Sequence, residues 1–273
     1  MLLLLSPRAS FAAGPAGSHL LNVWTAEDGL RNSSVTAVAQ TPDGFLWVGT
    51  YNGLARFDGV KFTVFDPATT PELRHARVRR LHVDGSGTLW IGLHDGSLST
   101  WREGVFSSEW EGTGQLDSAP AVIPGRSLPP RFLLNHGHFL VSVPGDGGSN
   151  RWQEVAPPGA SAGSLAVEDW DGAIWLRTRE QKLWRWHHGQ FENLTLPDGT
   201  NAVINALTLD RRGRVWLATD GKLWMWNGAE FEDRSPTNGA PVRRFQQLCF
   251  LRNGDVWVLA DDRVRKAYLG EAE

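Results

Sequence analysis

The sequence predicts an all-β fold built from repeated four-stranded antiparallel units, and two observations support this prediction. A segment of the form Gly-x-apolar-Trp recurs along the chain every 35–50 residues. The copies are separated by short apolar runs that lack the three-to-four-residue period of an amphipathic helix. A repeat of about 42 residues with this pattern is typical of small sheets that bury their apolar faces by stacking on one another.

Six copies of the repeat are visible, and one of them is degenerate. Five copies keep the Trp, and the third carries Leu140 in its place. The copies occupy residues 43–47, 86–90, 136–140, 171–175, 212–216 and 253–257. Six copies predict six sheets.

The first unit can be divided into strands from its turn residues. Asp43-Gly44 and Asp58-Gly59 are pairs that accept the positive φ angles of two-residue hairpins. They predict strands at residues 35–40, 45–50, 54–57 and 61–65, joined as an antiparallel meander. Both faces of the second strand are largely apolar, so neighbouring sheets should cover it on both sides. We therefore expect a β-propeller, with small residues permitting close approach between blades at Gly49, Gly92 and Ala218.

Composition excludes some functions and leaves others open. A formal net charge of −3 gives no bulk electrostatic attraction for nucleic acid, and we expect no nucleic-acid partner. The single cysteine, Cys249, cannot form an internal disulfide and is expected to be a small core residue. No apolar stretch reaches the length of about 20 residues that a membrane helix requires.

The N-terminus has features of an export signal. An apolar run at residues 2–5 precedes small residues at 10–14, although a positive segment before the run is missing. Residues 1–19 are therefore expected to be a clipped signal peptide or a disordered tail, and residues 20–273 a single propeller domain. Residues 21–25 resemble an orphan fourth strand that would pair with 264–268 and close a six-bladed ring. A truncated seven-bladed ring is the alternative.

Residues 23–62 resemble the two-component regulator propeller repeat. The matching features are Trp24, Asp28-Gly29-Leu30, the stretch from Asp43 to Thr50, and Gly53 to Gly59. Later copies keep the Trp and the turns but lose the Gly-Thr pair that follows the Trp in the first. The resemblance extends over about residues 20–268.

That resemblance implies a function and a location. Such propellers usually form the extracytoplasmic, often periplasmic, sensors of histidine kinases or hybrid regulators, so ligand sensing without catalysis is expected. The implied partners are a small molecule or an oligosaccharide, with dimerisation possible through downstream parts of a longer protein. A propeller enzyme of the polysaccharide- or cyclic-ester-lyase type is one alternative, and a structural scaffold for protein partners is another.

Sequence motifs for catalysis, metal binding or cofactor binding are weak throughout the chain. We expect no catalytic residues, no metal site and no cofactor. Residues 169–172 faintly resemble a calcium loop, but the same position in other repeats holds an ordinary hairpin. His187 and His188 precede a Gly in a predicted turn, where a solvated role is the simpler interpretation.

Candidate ligand-binding residues follow from the architecture. Loops that join second to third strands lie on one face of a propeller, and binding residues are commonly carried on such loops. The polar or aromatic residues predicted there are Tyr51, Asn52, His94, Asp95, Arg179, Glu180, Asp220 and Asp261. The Gly/Pro/Ser-rich segment 111–130 is an insertion that serves either as a binding loop or as slack.

Overall fold

In the residues that the computed structural model describes, the chain forms β-strands and one short 3₁₀ helix at Ala26–Asp28. It describes residues 2–7, 19–24, 26–30, 32–112, 119–134, 137–144, 150–159, 163–197, 199, 202–236, 244–250, 256–260 and 263–267. The chain divides into two compact units, Met1–Ala121 and Val122–Glu273.

The strands of the first unit form a hairpin and two four-stranded sheets. The hairpin consists of β1 (Leu2–Pro7) and β2 (His19–Trp24). The first sheet contains β3 (Val35–Gln40), β4 (Leu46–Thr50), β5 (Gly53–Phe57) and β6 (Phe62–Phe65). The second sheet contains β7 (Val78–Val83), β8 (Leu89–Leu93), β9 (Leu98–Arg102) and β10 (Val105–Trp110).

Four further sheets follow along the chain. The third contains β11 (Ala121–Val122), β12 (Phe132–Leu133), β13 (Phe139–Pro144) and β14 (Asn150–Val155). The fourth contains β15 (Gly163–Glu168), β16 (Ile174–Thr178), β17 (Leu183–His187) and β18 (Gln190–Leu194). The fifth contains β19 (Ile204–Leu209), β20 (Val215–Thr219), β21 (Leu223–Trp226) and β22 (Phe231–Asp233). The sixth contains β23 (Phe245–Phe250), β24 (Val256–Ala260) and β25 (Arg263–Ala267).

Five sheets are the antiparallel meanders that the repeat predicts. In the first five sheets the four strands lie side by side in chain order. In the first sheet, Val35 lies opposite Thr50, and Thr50 lies opposite Gly53. The start of the first strand and the loop between the second and third strands therefore lie at the same end of the sheet.

The predicted pairing of the N-terminal strand with the last sheet is wrong. Strand β2 pairs with β1, from Trp24 opposite Leu2 to His19 opposite Pro7, and β25 belongs to a three-stranded sheet that does not include β2. The apolar run at residues 2–5 supplies a partner close in sequence, and closing a short loop costs less entropy than joining distant segments. Strand β2 is therefore not part of the last sheet.

A hydrogen bond between Trp and Asp fixes the first hairpin of several sheets. The indole Nε1 of Trp90 donates to Asp84 Oδ2 at 2.7 Å, while Asp84 Oδ1 accepts the backbone N–H groups of Ser86 and Thr88. The same arrangement joins Trp175 to Asp169 and Trp216 to Asp210. In the first sheet the Trp47 indole donates instead to the hydroxyl of Thr41, which contacts Asp43. The side chain six residues before the Trp therefore joins the turn to the core.

The recurrent Trp packs against the next sheet in the chain. Trp47 is fully buried and its ring lies 4.8 Å from that of Trp101 in the second sheet. Trp175 is likewise buried, 5.1 Å from Trp226 in the fifth sheet. Trp216 is 4% exposed, with its ring 5.3 Å from Phe250. The sheets therefore stack face to face through these side chains, as the apolar second strands predict.

The small residues of the second strands allow close approach, as predicted. A Cβ atom on Gly49 would lie 2.7 Å from Cγ1 of Val78, in the first strand of the next sheet. Ala218 clusters with Phe245, which begins the first strand of the sixth sheet. In the fourth sheet, the residue two positions after the recurrent Trp is Arg177. Its Nη1 donates to the backbone oxygen of Ile204 at 2.5 Å. Burial lowers the pKa of the Arg177 guanidinium.

The third sheet departs from the repeat. Leu140 occupies the sequence position of the Trp, but it is Phe139 that contacts the next sheet, 5.4 Å from Trp186 and 6.1 Å from Phe191. Successive side chains of a strand point to opposite faces, so a shift of one residue exchanges the two faces. The degenerate copy thus makes its contact with the next sheet through the neighbouring residue.

Part of the segment 111–130 is fixed to the fourth sheet. Glu168 is 2% exposed; its N–H donates to Pro124 O at 2.7 Å, and its carboxylate accepts the hydroxyl of Ser127. The guanidinium of Arg131 lies 3.3 Å from the same carboxylate. A Cβ on Gly125 would lie 2.5 Å from the Glu168 side chain. These contacts make residues 124–131 a packed connection rather than slack chain.

Candidate functional site

A cleft lies within the first unit, at the end of the first and second sheets where their first strands begin. Its volume is about 350 Å³, and its described lining residues are Val35, Thr36, Tyr51, Arg79, Arg80 and Ala119. The loop containing Tyr51 joins β4 to β5, so the cleft lies on the face that the sequence predicts for binding. A volume of this size lies near the lower end of the range for small-molecule sites.

A bulge in each first strand shapes the cleft. The register of pairing shifts between Val35 and Ala37 in the first sheet and between Val78 and Arg80 in the second. Bulges change the direction of a side chain, and they are frequent near functional sites. Here the residues within the bulges are Thr36 and Arg79, and both line the cleft.

The bulge residues of the first and fifth sheets each contact the next sheet. Thr36 donates its hydroxyl to Val78 O at 2.7 Å. At the equivalent position of the fifth sheet, Asn205 donates its amide to Phe245 O at 2.9 Å. In the second sheet this position holds Arg79, whose longer cationic side chain lines the cleft.

Two of the described residues that line the cleft are arginines. Arg79 and Arg80 lie on β7, and Arg80 Nε donates to Ala119 O at 3.4 Å. The wall of the cleft on this side therefore carries basic side chains.

Tyr51 supplies the aromatic surface. Its side chain is 44% exposed, and the guanidinium of Arg77 lies 4.0 Å from the centre of its ring. The backbone oxygen of Arg77 accepts the N–H of His94 at 3.0 Å. The stacked Arg77 holds the Tyr51 ring in place, because a cation over a ring face is attracted to it.

The other residues predicted in the first unit have different surroundings. Asn52 is exposed in the turn, where its N–H donates to Thr50 Oγ1. His94 is 8% exposed, and its ring lies 5.2 Å from that of His75. Asp95 Oδ1 accepts the N–H and the hydroxyl of Ser97. Of the four residues predicted in this unit, Tyr51 is the one that lines the cleft.

In the second unit, the predicted residues lie on the corresponding loops. Arg179 and Glu180 are exposed between β16 and β17. Asp220 is exposed after β20; its carboxylate accepts the amide of Asn205 at 3.0 Å and lies 3.4 Å from Arg244 Nε. The predicted residue Asp261 lies outside the described residues.

Sequence reasoning missed the cleft residues on the first strands. The predicted binding residues were all placed on loops. No binding role was predicted for Thr36, Arg79 or Arg80, which lie in strands. A usable signal was present in the run Arg77-Val78-Arg79-Arg80, which places three cations at the start of a strand. What the sequence did not reveal is the bulge that directs Arg79 into the cleft.

The described residues lack two other kinds of feature. They contain no helix long and apolar enough to cross a membrane. They also contain no group of three or more His, Cys, Asp or Glu side chains placed to hold a metal ion. Residues 169–172 form an ordinary turn, in which Asp169 accepts the N–H groups of Asp171 and Ala173.

Comparison with protein families gives a match in two places. The two-component regulator propeller family matches residues 29–52 and 198–225. These two segments are similar to two-component regulator propeller repeats. The first matched segment ends at Asn52 and includes Tyr51 of the cleft, and the second spans β19, β20 and most of β21. The comparison with curated protein sequences finds no match.

Solved structures with the same fold include sensor domains and enzymes. The extracellular domain of the hybrid two component system BT3049 from B. thetaiotaomicron is 16% identical, with a TM-score of 0.52, over 87% of this chain and 34% of that one. The corresponding domain of BT4673 from the same organism is 18% identical, with a TM-score of 0.52, over 90% of this chain and 33% of that one. Virginiamycin B lyase from Staphylococcus aureus is 15% identical, with a TM-score of 0.51, over 88% and 85%.

These likenesses establish the fold. The five four-stranded antiparallel sheets are blades of an all-β propeller fold. The chain spans about a third of the length of the two sensor-domain chains.

Proposed function

We propose that this chain is the extracytoplasmic ligand-binding propeller of a two-component signalling protein and performs no chemistry on its ligand. The observation that carries the proposal is the cleft of about 350 Å³ at the loop end of the first two blades. Repeats of the two-component regulator type and the fold shared with extracellular sensor domains support it. The ligand is a small molecule or an oligosaccharide, recognised in the periplasm or another extracytoplasmic compartment.

Binding without catalysis fits the side chains of the cleft. Arginines are permanently charged and poor proton donors or acceptors. The hydroxyl of Thr36 donates to a backbone oxygen, and the described lining residues include no His, Asp, Glu or Lys that could activate it as a nucleophile. The described side chains are therefore suited to holding a polar ligand.

Ligand recognition and signal output are separate tasks in this proposal. The propeller supplies recognition, and kinase or regulator modules supply the output and any dimerisation. Loop residues of the second unit, such as Arg179 and Asp220, stay candidates for a second contact surface.

Calorimetric titration of the full chain with a panel of monosaccharides, oligosaccharides and small organic acids tests the proposal. A ligand that binds should lose about tenfold in affinity with Tyr51→Ala, a loss of about 1.4 kcal/mol. Arg212→Ala, at an exposed arginine in a turn of the fifth sheet, is the surface control and should bind as the wild type does. Chromatography should recover the ligand unchanged; a converted ligand would assign the protein to the enzymes and favour the lyase alternative.

A further inference from the structure

One turn of the fourth sheet carries an aromatic side chain that is larger than its packing requires. Trp170 follows Asp169 between β15 and β16, and a Cβ atom on Gly213, in the first turn of the fifth sheet, would lie 2.0 Å from its Cγ. In the first sheet the equivalent residue is Pro42, whose Cγ lies 3.1 Å from the position of a Cβ on Gly87 in the next turn. A proline is thus enough to cover the neighbouring turn, so this packing does not account for an indole that is 45% exposed.

The exposed indole is held in place by the connection of residues 124–131, between β11 and β12. The guanidinium of Arg126 lies 3.5 Å from the centre of a Trp170 ring, and a cation over an indole face is attracted to it. The connection is fixed to the same turn, because Arg131 Nη1 donates to Gly172 O at 2.6 Å. Side chains whose positions are already restricted lose less entropy when they bind a partner.

Arg126, Leu128 and Trp170 together form a surface, called here the Trp170 surface, that combines apolar area with a positive charge. Leu128 is 58% exposed and lies two residues after Arg126. Arg126 is exposed, and its guanidinium forms no ion pair with another residue in the described part of the chain. The exposed carboxylate of Asp171 follows Trp170, so a partner carboxylate is expected on the Arg126 side. Tryptophan and arginine are the residues that most often anchor protein interfaces.

The contacts of the indole favour a protein partner over a carbohydrate. A sugar that stacks on an indole needs an open ring face, whereas the guanidinium of Arg126 already lies over the Trp170 ring. A Cβ on Gly213 would also overlap the Cγ of this ring. The remaining exposed part of the indole and the neighbouring Leu128 can contact an apolar side chain. The N–H groups of a guanidinium pair well with a carboxylate.

From these observations we infer that the Trp170 surface docks an acidic segment of a protein partner. A carboxylate of the segment pairs with Arg126, and an adjacent apolar side chain contacts Leu128 and the indole of Trp170. The surface lies in the second unit, so the inference does not depend on the cleft of the first unit.

Selection from a phage-displayed library of random peptides on the immobilised full chain tests the inference. A parallel selection on Trp170→Ala removes the peptides that bind elsewhere. We expect Trp170-dependent peptides that carry Asp or Glu within a few residues of Leu, Ile, Phe or Trp. In fluorescence anisotropy, a synthetic copy of the best peptide should lose at least about tenfold in affinity when its acidic residues are replaced by Asn and Gln. Raising the ionic strength should also weaken its binding, because salt screens charge pairing.

Variants of the surface connect the peptide to these side chains. Arg126→Gln should cost at least about tenfold in affinity, and Arg126→Lys should cost less because it keeps the charge. Trp170→Pro, which copies Pro42 of the first sheet, should keep the contact with the next turn and lose the peptide. Arg102→Gln, at an exposed arginine of the second sheet, is the matched control and should bind as the wild type does. Circular dichroism melts identify the folded variants, and Arg126→Gln decides the matter if both Trp170 variants unfold.

Several results would overturn the inference. They are the absence of any Trp170-dependent peptide, enriched peptides without acidic residues, and equal binding of the peptide and its Asn/Gln copy. Binding that survives Arg126→Gln would overturn it as well. Titration with trigalacturonate tests the carbohydrate alternative, and Trp170-dependent binding of this sugar without any peptide would overturn the protein partner. None of these results bears on the proposed function, which is tested by ligands of the cleft.

Discussion

Asp84, Asp169 and Asp210 each accept an indole N–H from the Trp six residues later and backbone N–H groups from their own turn. One carboxylate thereby satisfies polar groups that would otherwise be buried without partners. Leaving such a group unsatisfied costs about 1–3 kcal/mol. Each hairpin of this kind is thus specified by the Asp as much as by the Gly of the turn.

Asp210→Asn should lower stability in a pH-dependent way. Burial raises the pKa of Asp210, but hydrogen bonds from Trp216 and Arg214 outweigh it and leave the pKa below its ordinary value. A carboxyl with a lowered folded-state pKa stabilises the fold above its unfolded pKa, and that stability is lost as pH falls through the folded pKa. The variant should therefore lose about 1–3 kcal/mol at neutral pH.

Urea denaturation of wild type and variant across pH measures this effect. The difference between them should begin to shrink as pH falls below the ordinary carboxyl pKa of about 4, and it should be lost as pH passes through the lowered folded-state pKa. Asp171→Asn, at an exposed carboxylate in the corresponding turn of the fourth blade, is the control and should change little. A difference that stays constant down to acid pH would contradict the charged hydrogen bond.

Trp216→Ala should cost about 3–5 kcal/mol of unfolding free energy, because it removes a buried ring and leaves a cavity. The ring is 4% exposed and contacts Phe250 of the next blade. Trp170→Ala, at a ring that is 45% exposed, should cost less and serves as the comparison. A loss below about 1 kcal/mol for Trp216→Ala would be incompatible with packing between blades.

At the scale of elements, the contact between β4 and β7 sets the distance between the first two blades. Gly49 provides the space, since Val78 of β7 fills the position that a Cβ would take. The hydroxyl of Thr36 donates to the backbone oxygen of the same Val78. The cleft lies beside this contact, so its width depends on it.

Gly49→Ala should destabilise the first unit by about 1–3 kcal/mol through overpacking. A double-mutant cycle with Val78→Ala tests whether the loss comes from a clash with Val78, because removing Cγ1 of Val78 relieves the closest contact. The double variant should be more stable than the sum of the single losses predicts. Additive losses in chemical denaturation would show that the two positions do not touch.

The sequence was sufficient for the regular elements and insufficient for the irregular ones. Asp-Gly turns and the recurrent Trp predicted the meanders of four sheets, because hairpin chemistry and burial are local. The partner of β2 could not be predicted, since any strand with an open edge can pair with several others. The same limit applies to Phe139, whose contact with the next blade depends on a register shift of one residue.

The sequence predicted where the candidate site lies better than it predicted which residues line it. Tyr51 lies in a loop that the meander places at one end of the sheet, so its location followed from topology. Arg79 depends on a bulge, which has no strong sequence signal. His94 was predicted on the same loops, yet it is buried beneath them, because a residue at a loop position can still point inward.

At the scale of the whole molecule, the cleft belongs to a repeated blade structure. Three of the described sheets share the Asp–Trp hairpin, and the recurrent Trp of the first, fourth and fifth sheets contacts the next sheet. The first two sheets combine an aromatic ring with two arginines at their loop end. The proposed binding function places the ligand there.

Hydrogen exchange of the full chain, with and without a ligand that binds in the calorimetric titration, tests the central claim most directly. Protection should increase in peptides covering Val35, Tyr51 and the segment 77–80, and the recovered ligand should be unchanged. The variant Tyr51→Ala should show a smaller increase at the same ligand concentration. Protection confined to other regions, or a converted ligand, would contradict the proposal that this cleft is the binding site of a non-catalytic sensor.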